Sequence, residues 1–156
     1  MKLLISACLL GVCCRYDGAS KPHPLVEALA AEHTLIPVCP EQMGGLSTPR
    51  PPSERQGDRV VAKTGADVTA QYRKGAEEAL RLCRLFHCDG AILKERSPSC
   101  GHGEIYDGSF TGTLVPGDGT AAELLTRQGI PVYGESQIQE LLEGRGSTSV
   151  DLHRNL

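Results

Sequence analysis

The chain has 156 residues, with 16 Lys and Arg against 19 Asp and Glu and a formal net charge of −3. This length suits one domain with its own core, and the charge balance excludes the strongly basic surface of a nucleic-acid-binding protein. Aromatic residues make up 4% of the chain and tryptophan is absent, so we expect no aromatic platform for stacking bases.

The chain contains seven cysteines. An odd number does not make a closed disulfide framework, and a chain of this length does not need one. We therefore expect the reducing cytoplasm, with the cysteines serving as thiolates, metal ligands or small buried side chains. The apolar run Leu3–Val12 resembles a short export signal, but it is too short to span a membrane, and Val12 is not the small residue that precedes a lipoprotein cysteine.

The first half of the chain predicts two strands separated by a helix. The apolar run Leu3–Cys8 is typical of a buried strand, and Thr34–Cys39 is a second, β-branched run ended by a proline. Between them, Pro24–His33 has helical spacing of its apolar residues. Residues 41–69 are irregular and rich in Gly, Pro and Ser, and Arg59–Ala62 within them predicts part of a small hairpin or flap.

The second half opens with the clearest helix, Asp67–His87, whose apolar residues recur at three- and four-residue spacing. A strand, Ala91–Lys94, and a glycine-rich loop, Glu95–Gly119, follow. Three further elements are predicted towards the end of the chain: a helix over Thr120–Gly129, a strand over Pro131–Tyr133 and a helix over Ser136–Gly144.

Two capping motifs support these last helices. Thr120 with Glu123 and Ser136 with Gln139 both match the capping box. Residues 145–156 show no periodicity, so we expect one domain over residues 1–144 and a flexible C-terminal tail over residues 145–156.

The alternation of strands and helices predicts the fold class. It favours a three-layer, Rossmann-like α/β fold with a mostly parallel four-stranded sheet and helices on both faces. In such sheets, sites form in the crevice beyond the carboxyl ends of the strands.

Three cysteines follow predicted strands. Cys8 ends the first strand, Cys39 ends the second, and Cys100 lies in the loop after the third. We expect these thiols to converge at one edge of the sheet. Cys83 falls on the buried stripe of a helix and Cys88 at its far end, which favours core packing or a surface thiol for both.

Three converging thiolates suit a soft metal. Structural zinc takes four ligands and typically uses close C-x-x-C pairs, which the chain lacks. A 4Fe-4S cluster usually takes four cysteines, and three would leave one iron free to act as a Lewis acid. Three buried thiols without a ligand role are the alternative.

The motifs around these cysteines resemble a known family, the small thiouracil desulfidases, formerly a domain of unknown function. The resemblance covers about residues 1–143, in the same order. It is carried by three groups of residues: Ser6–Gly11 with Arg15–Gly18, Pro37–Glu41 with Gly44–Leu46 and Pro49–Arg50, and Lys94 with Ser97–Gly101.

This resemblance implies a 4Fe-4S cluster held by Cys8, Cys39 and Cys100, with one iron that carries no protein ligand. It also implies desulfuration of a small-molecule thiolated pyrimidine of the 2-thiouracil type, in which a thiocarbonyl becomes a carbonyl and sulfide is released. The family places an acidic residue just after the second cysteine, which matches Glu41. It places a serine beside the third cysteine, where Ser97 and Ser99 both qualify.

The chemistry assigns roles to these side chains. Iron polarises a thiocarbonyl towards attack by water, and Glu41 is expected to take the proton of that water. We prefer Ser97 as the catalytic serine, which donates to the ring or relays the proton, and expect Ser99 to contact the substrate. Arg15 and Arg50 are candidates for binding a ring carbonyl or a phosphate through paired donors, with loop anchoring as the alternative role.

Other functions are less well supported. Six residues separate Cys8 from Arg15, where a low-molecular-weight phosphatase has five, and no Asp-Pro supplies a general acid. The segment Gly117–Ala122 mimics a dinucleotide fingerprint, but short glycine-rich turns into helices are common. A persulfide sulfurtransferase needs one exposed thiol of low pKa. A cluster- or metal-binding sensor without catalysis is the alternative to the enzyme.

Overall fold

The computed structural model describes residues 1–144, so the predicted tail over residues 145–156 lies outside the described residues. The strands are β1 (Lys2–Ser6), β2 (Thr34–Val38), β3 (Ser53–Gln56), β4 (Arg59–Ala62), β5 (Gly90–Leu93), β6 (Glu104–Tyr106), β7 (Leu114–Pro116) and β8 (Val132–Gly134). The helices are α1 (Val26–Glu32), α2 (Pro40–Met43), α3 (Thr69–Leu85), α4 (Thr120–Arg127) and α5 (Ile138–Leu142). Within these residues, no helix is long and apolar enough to cross a membrane.

The central sheet has four parallel strands in the order β2-β1-β5-β8. On strand β1, Leu4 pairs with Ile36 of β2 on one side and with Ala91 of β5 on the other. Pro37 is tolerated in β2 because this strand lies at the edge of the sheet, where one side needs no ladder hydrogen bonds. The predicted parallel four-stranded sheet is confirmed.

Each face of this sheet carries its own apolar core. Leu3 and Ile5 pack with residues of α1 and α5, including Leu29 and Ile138. Leu4, which points to the other face, packs with residues of α3 and α4. Residues Leu3–Ser6 of β1 are therefore buried whichever face they point to, as expected for a parallel strand covered on both sides. The predicted three-layer α/β fold is confirmed.

Two small hairpins lie outside the central sheet. Strands β3 and β4 pair antiparallel around a turn that contains Gly57 with φ 61°, so Arg59–Ala62 forms a hairpin with the strand that precedes it. Strands β6 and β7 form a second antiparallel pair within residues 95–119. The prediction of a plain loop there was wrong, because strands of three residues are too short to show a period.

The predicted capping boxes do not form. Helix α4 is preceded by Gly119 and has no side-chain cap, and Glu123 pairs with Arg55 and Arg127 instead. In the second predicted box, Ser136 Oγ donates to Glu95 Oε2 and Gln139 Nε2 donates to Glu143 Oε1. Other side chains thus pair with Glu123, Ser136 and Gln139, on which the two local motifs depended.

Helix α2 packs against α3 through two glycines at close approach. A Cβ at Gly75 would lie 1.8 Å from the carbonyl oxygen of Pro40. A Cβ at Gly44 would lie 1.9 Å from the carbonyl oxygen of Gln71. Only glycine permits this contact, which fixes the position of α2 and therefore of the residue after Pro40, Glu41.

We expect Gly75→Ala to destabilise the protein. In a helix interior, Gly to Ala normally stabilises by about 1 kcal/mol, but the clash with Pro40 should instead cost about 1–3 kcal/mol. Urea denaturation measures this change in the free energy of unfolding. Lys74→Ala, at an exposed neighbouring position of α3, is the control and should shift stability by no more than about 0.5 kcal/mol. A gain in stability for Gly75→Ala would contradict the close packing.

Candidate active site

A cavity of about 570 Å³ lies at the carboxyl ends of the parallel strands. Cys8, Cys39 and Cys100 all line it, whereas Cys83 and Cys88 do not. All seven cysteines are free thiols. The predicted convergence of three thiols at one edge of the sheet is confirmed.

Local backbone structure places each thiol. Cys8 lies in a 3₁₀ turn that follows β1 and ends at Gly11, where φ is 99°. Cys39 lies between β2 and α2, and Pro40 begins that helix. Cys100 follows β5 in a turn where its backbone N–H donates to Ser97 Oγ at 3.1 Å. Three different strand ends therefore bring together residues far apart in sequence.

Cys8 and Cys100 are buried and Cys39 is partly exposed, and the three thiols influence one another electrostatically. Burial raises the pKa of Cys8 to about 11; Lys94 works against this rise, and Cys39 adds to it. Burial also raises the pKa of Cys100 to about 12, which hydrogen bonds from Ser6 and Ser99 oppose. Without a bound cation these two thiols are protonated at neutral pH, so metal binding releases protons.

The donor set of the cavity fits an iron–sulfur cluster. Such clusters are held by cysteine thiolates, and Cys8, Cys39 and Cys100 all line the cavity. Among residues 1–144, no three His, Cys, Asp or Glu side chains are grouped to hold one metal ion.

Glu41 is held through both carboxylate oxygens. Its Oε1 accepts from Arg50 Nε at 2.9 Å, and its Oε2 accepts from Ser99 Oγ at 3.0 Å. The Arg50 side chain is 5% exposed and that of Glu41 13%. The acidic side chain predicted as the base therefore lies in the thiol-lined cavity in one fixed orientation.

Arg50 is occupied by protein acceptors. Its Nη1 donates to the carbonyl of Ser47 at 3.0 Å and to Thr48 Oγ1 at 2.9 Å, and its Nη2 donates to the carbonyl of Cys14 at 2.9 Å. With Glu41 on Nε, the guanidinium has little left to offer a substrate. Of the two roles considered from sequence, the contacts favour loop anchoring, here combined with positioning of Glu41.

The two serines beside Cys100 form one chain of hydrogen bonds. Ser97 Oγ lies 3.0 Å from Ser99 Oγ and accepts the backbone N–H groups of Ser99 and Cys100. Ser99, which is buried, contacts Glu41 directly and approaches Cys100 Sγ at 3.5 Å. The sequence preferred Ser97, but the direct partner of the carboxylate is Ser99.

Two cations lie on the wall of the cavity near Cys8. The guanidinium of Arg15 lies 5.9 Å from the centre of the Tyr16 ring, and the part of the chain that the structure describes offers it no ion pair. Lys94 Nζ lies 2.8 Å from Glu135 Oε2. Both positive charges lower the pKa of Cys8, so they favour its thiolate.

Sequence reasoning gave no role to two residues of the site. Tyr72, 2% exposed, lies on the predicted buried stripe of α3, and its hydroxyl hydrogen-bonds with Glu41; burial and that carboxylate raise its pKa far above the usual value. The available signal in the sequence was the polar hydroxyl group of a tyrosine on the otherwise apolar face of α3. Cys14 is also buried in the cavity wall, and its carbonyl accepts from Arg50 and, at 3.7 Å, from the Cys39 thiol.

The dinucleotide-like segment lacks the required context. It follows β7, which pairs only with β6 in a separate hairpin. The fingerprint functions between a strand and a helix of one βαβ unit, so the glycines here serve a turn.

Comparisons with known proteins identify the family of the chain. A solved structure described as the 4Fe-4S-dependent thiouracil desulfidase TudS is 48% identical, with a TM-score of 0.87, over 97% of this chain and 98% of that chain. YbbK, an uncharacterized protein of Bacillus subtilis (strain 168), is 37% identical over 150 residues, which are 90% of this chain and 99% of the relative. The family model described as 2-thiouracil desulfurase matches residues 3–137. The resemblance seen in the sequence is thereby confirmed, and the chain belongs to the 2-thiouracil desulfurase family.

Proposed function

We propose that this protein is a thiouracil desulfidase that depends on a 4Fe-4S cluster. It converts the thiocarbonyl of a small thiolated pyrimidine of the 2-thiouracil type to a carbonyl and releases sulfide. The observation that carries this proposal is one cavity lined by four free cysteines, among them Cys8, Cys39 and Cys100, and by a fixed carboxylate, Glu41. Family membership and the similarity to TudS support it. The seven free cysteines favour the reducing cytoplasm as its location.

Cys8, Cys39 and Cys100 would hold the cluster, which leaves one iron without a protein ligand. When bound, the cluster supplies a Lewis acid for the soft sulfur of the substrate. The protein supports the thiolate form of Cys8 through the charges of Lys94 and Arg15. Cys8 and Cys100 are buried, whereas Cys39 is partly exposed.

Glu41 is the general base in this proposal. Replacement of sulfur by oxygen consumes one water and yields hydrogen sulfide, with no net transfer of electrons, so no reductant is required. The attacking water must lose a proton, and a positioned carboxylate accepts it. Arg50 and Ser99 hold the two carboxylate oxygens in place.

Ser97 and Ser99 hold the carboxylate of Glu41 through a chain of hydrogen bonds. Since Ser99 donates its hydroxyl proton to Glu41, the hydroxyl of Ser97 donates to Ser99. Two backbone N–H groups occupy the lone pairs of Ser97 Oγ. The water therefore gives its proton to Glu41 itself, and the two serines orient that carboxylate. Arg15, on the cavity wall without an ion pair among the described residues, binds a ring carbonyl of the substrate.

Single replacements of the ligands test the cluster site. Cys8→Ser, Cys39→Ser or Cys100→Ser should each lower the iron content of anaerobically purified protein and abolish sulfide release from 2-thiouracil. Cys88→Ser, outside the cavity, is the control and should retain both. Full iron loading in Cys39→Ser would contradict the assignment, and an iron-loaded wild type without turnover would favour the sensor over the enzyme.

Replacing the base should separate catalysis from cluster binding. Glu41→Gln keeps the size of the side chain but removes its basicity, so turnover should fall about 10²–10⁴-fold while iron content stays near wild type. Glu95→Gln changes another cavity-lining carboxylate and should leave turnover within about threefold. Loss of iron in Glu41→Gln would make Glu41 a ligand or a fold anchor, and unchanged turnover would exclude it as the base.

The hydrogen-bond chain predicts comparable effects at the two serines. Ser99→Ala removes the direct partner of Glu41 and should lower turnover at least as much as Ser97→Ala, by about 10–10²-fold, with iron retained. Sulfide release under single-turnover conditions measures the effect. A Ser99→Ala variant of wild-type rate, beside a slow Ser97→Ala, would show that Ser97 acts independently of Ser99.

A further inference from the structure

The cavity concentrates the aromatic side chains of the protein. The chain has four tyrosines and two phenylalanines, and four of these six line the cavity: Tyr16, Tyr72, Tyr106 and Phe110. A low overall aromatic content therefore does not mean that the site lacks an aromatic surface. Ring faces at a cavity suit a flat, conjugated ligand.

Phe110 is the residue of this set without another engagement. The hydroxyl of Tyr72 hydrogen-bonds with Glu41, and one face of the Tyr16 ring is covered by Arg15. Tyr106 belongs to β6, where it pairs with Leu114. Phe110 lies in the loop that joins β6 to β7, half-buried and without a polar group to satisfy.

The backbone at Phe110 is held in an unfavourable conformation. Its φ is 59°, in the left-handed region that bulky side chains rarely adopt. Residues in such conformations persist only where the surrounding structure holds them, and they cluster at ligand clamps and active sites. An asparagine or glycine would adopt this turn more readily, so the phenyl ring is present for another reason.

The β3–β4 hairpin holds this loop over the cavity. Glu54 Oε1 accepts the backbone N–H groups of Gly108 and Phe110, each at 3.0 Å. Gln56 Nε2 donates to the carbonyl of Gly108 at 2.9 Å. A Cβ at Gly108 would lie 2.9 Å from the carbonyl oxygen of Arg55, so the two hairpins are in close contact. The position of the Phe110 ring is therefore built in before any ligand binds.

We propose that Phe110 is a substrate-binding residue whose ring packs on the face of the pyrimidine, and that Glu54 is the residue that positions it. This inference rests on the proposed function. It adds a residue for recognition of the pyrimidine ring to the thiols and Glu41, which also line this cavity. The expectation of no aromatic platform concerned a run of stacked bases, whereas a single ring needs only one aromatic face.

Three substitutions at one position test the proposal. Phe110→Tyr keeps the aromatic face and should keep the KM for 2-thiouracil within about twofold. Phe110→Leu keeps apolar bulk in the same backbone conformation but removes the ring, and Phe110→Asn removes the ring and suits the conformation. Both should raise KM, and weaken binding of the product uracil, by about 5–100-fold, with kcat within about threefold and iron content unchanged.

A matched control separates ligand binding from backbone strain. His87 has φ 55° at the end of α3, away from the cavity, so His87→Asn should change neither KM nor uracil binding. Phe110→Asn should melt at or above the temperature of Phe110→Leu, because asparagine tolerates the left-handed backbone.

Unchanged uracil binding in Phe110→Leu, or a similar loss of uracil binding in His87→Asn, would overturn the proposal. A wild type that binds uracil but releases no sulfide would contradict the proposed function alone, and weaker uracil binding in Phe110→Leu would still support the inference.

Discussion

The contact on which the site depends is the buried ion pair between Arg50 and Glu41. The guanidinium joins the carboxylate to the carbonyl of Cys14 and to the loop before Arg50. Burying two charges carries a desolvation cost that the pair itself barely offsets, whereas leaving one partner unpaired costs about 3–5 kcal/mol. The pair is therefore better explained by the orientation it imposes on Glu41 than by the stability it adds.

The orientation of Glu41 also depends on the position of α2, which carries this residue. Helix α2 follows the edge strand directly, and Gly44 and Gly75 let it approach α3 at a distance that no larger residue permits. On its other side, Ser99 reaches Glu41 from the loop after β5. Glu41, the proposed general base, is thus held from three parts of the chain, and a shift in any of them changes its distance from the thiols.

Different parts of the fold supply different parts of the cavity. The parallel strands and the two apolar cores position the thiols, while residues of the two hairpins line other parts of the cavity. Burial disfavours the thiolate forms of Cys8 and Cys100 and raises the pKa of each, so the proposed cluster would offset part of that cost on binding. Stability resides in the sheet, and the less favourable features lie at its carboxyl edge.

The sequence by itself determined the sheet and the thiols. Apolar runs with strand and helix periods predicted β1, β2, β5, β8 and the helices between them, and the rule that sites form at strand ends selected Cys8, Cys39 and Cys100 over Cys83 and Cys88. The spacing of apolar residues suffices to predict these elements because each of them buries a face in the core, and that burial sets the spacing. Only the tertiary structure decided that Arg50 serves Glu41, that Ser99 is its direct partner, and that Tyr72 and Phe110 face the cavity. These roles depend on contacts between residues far apart in the chain, and no local spacing encodes which distant group a side chain will meet.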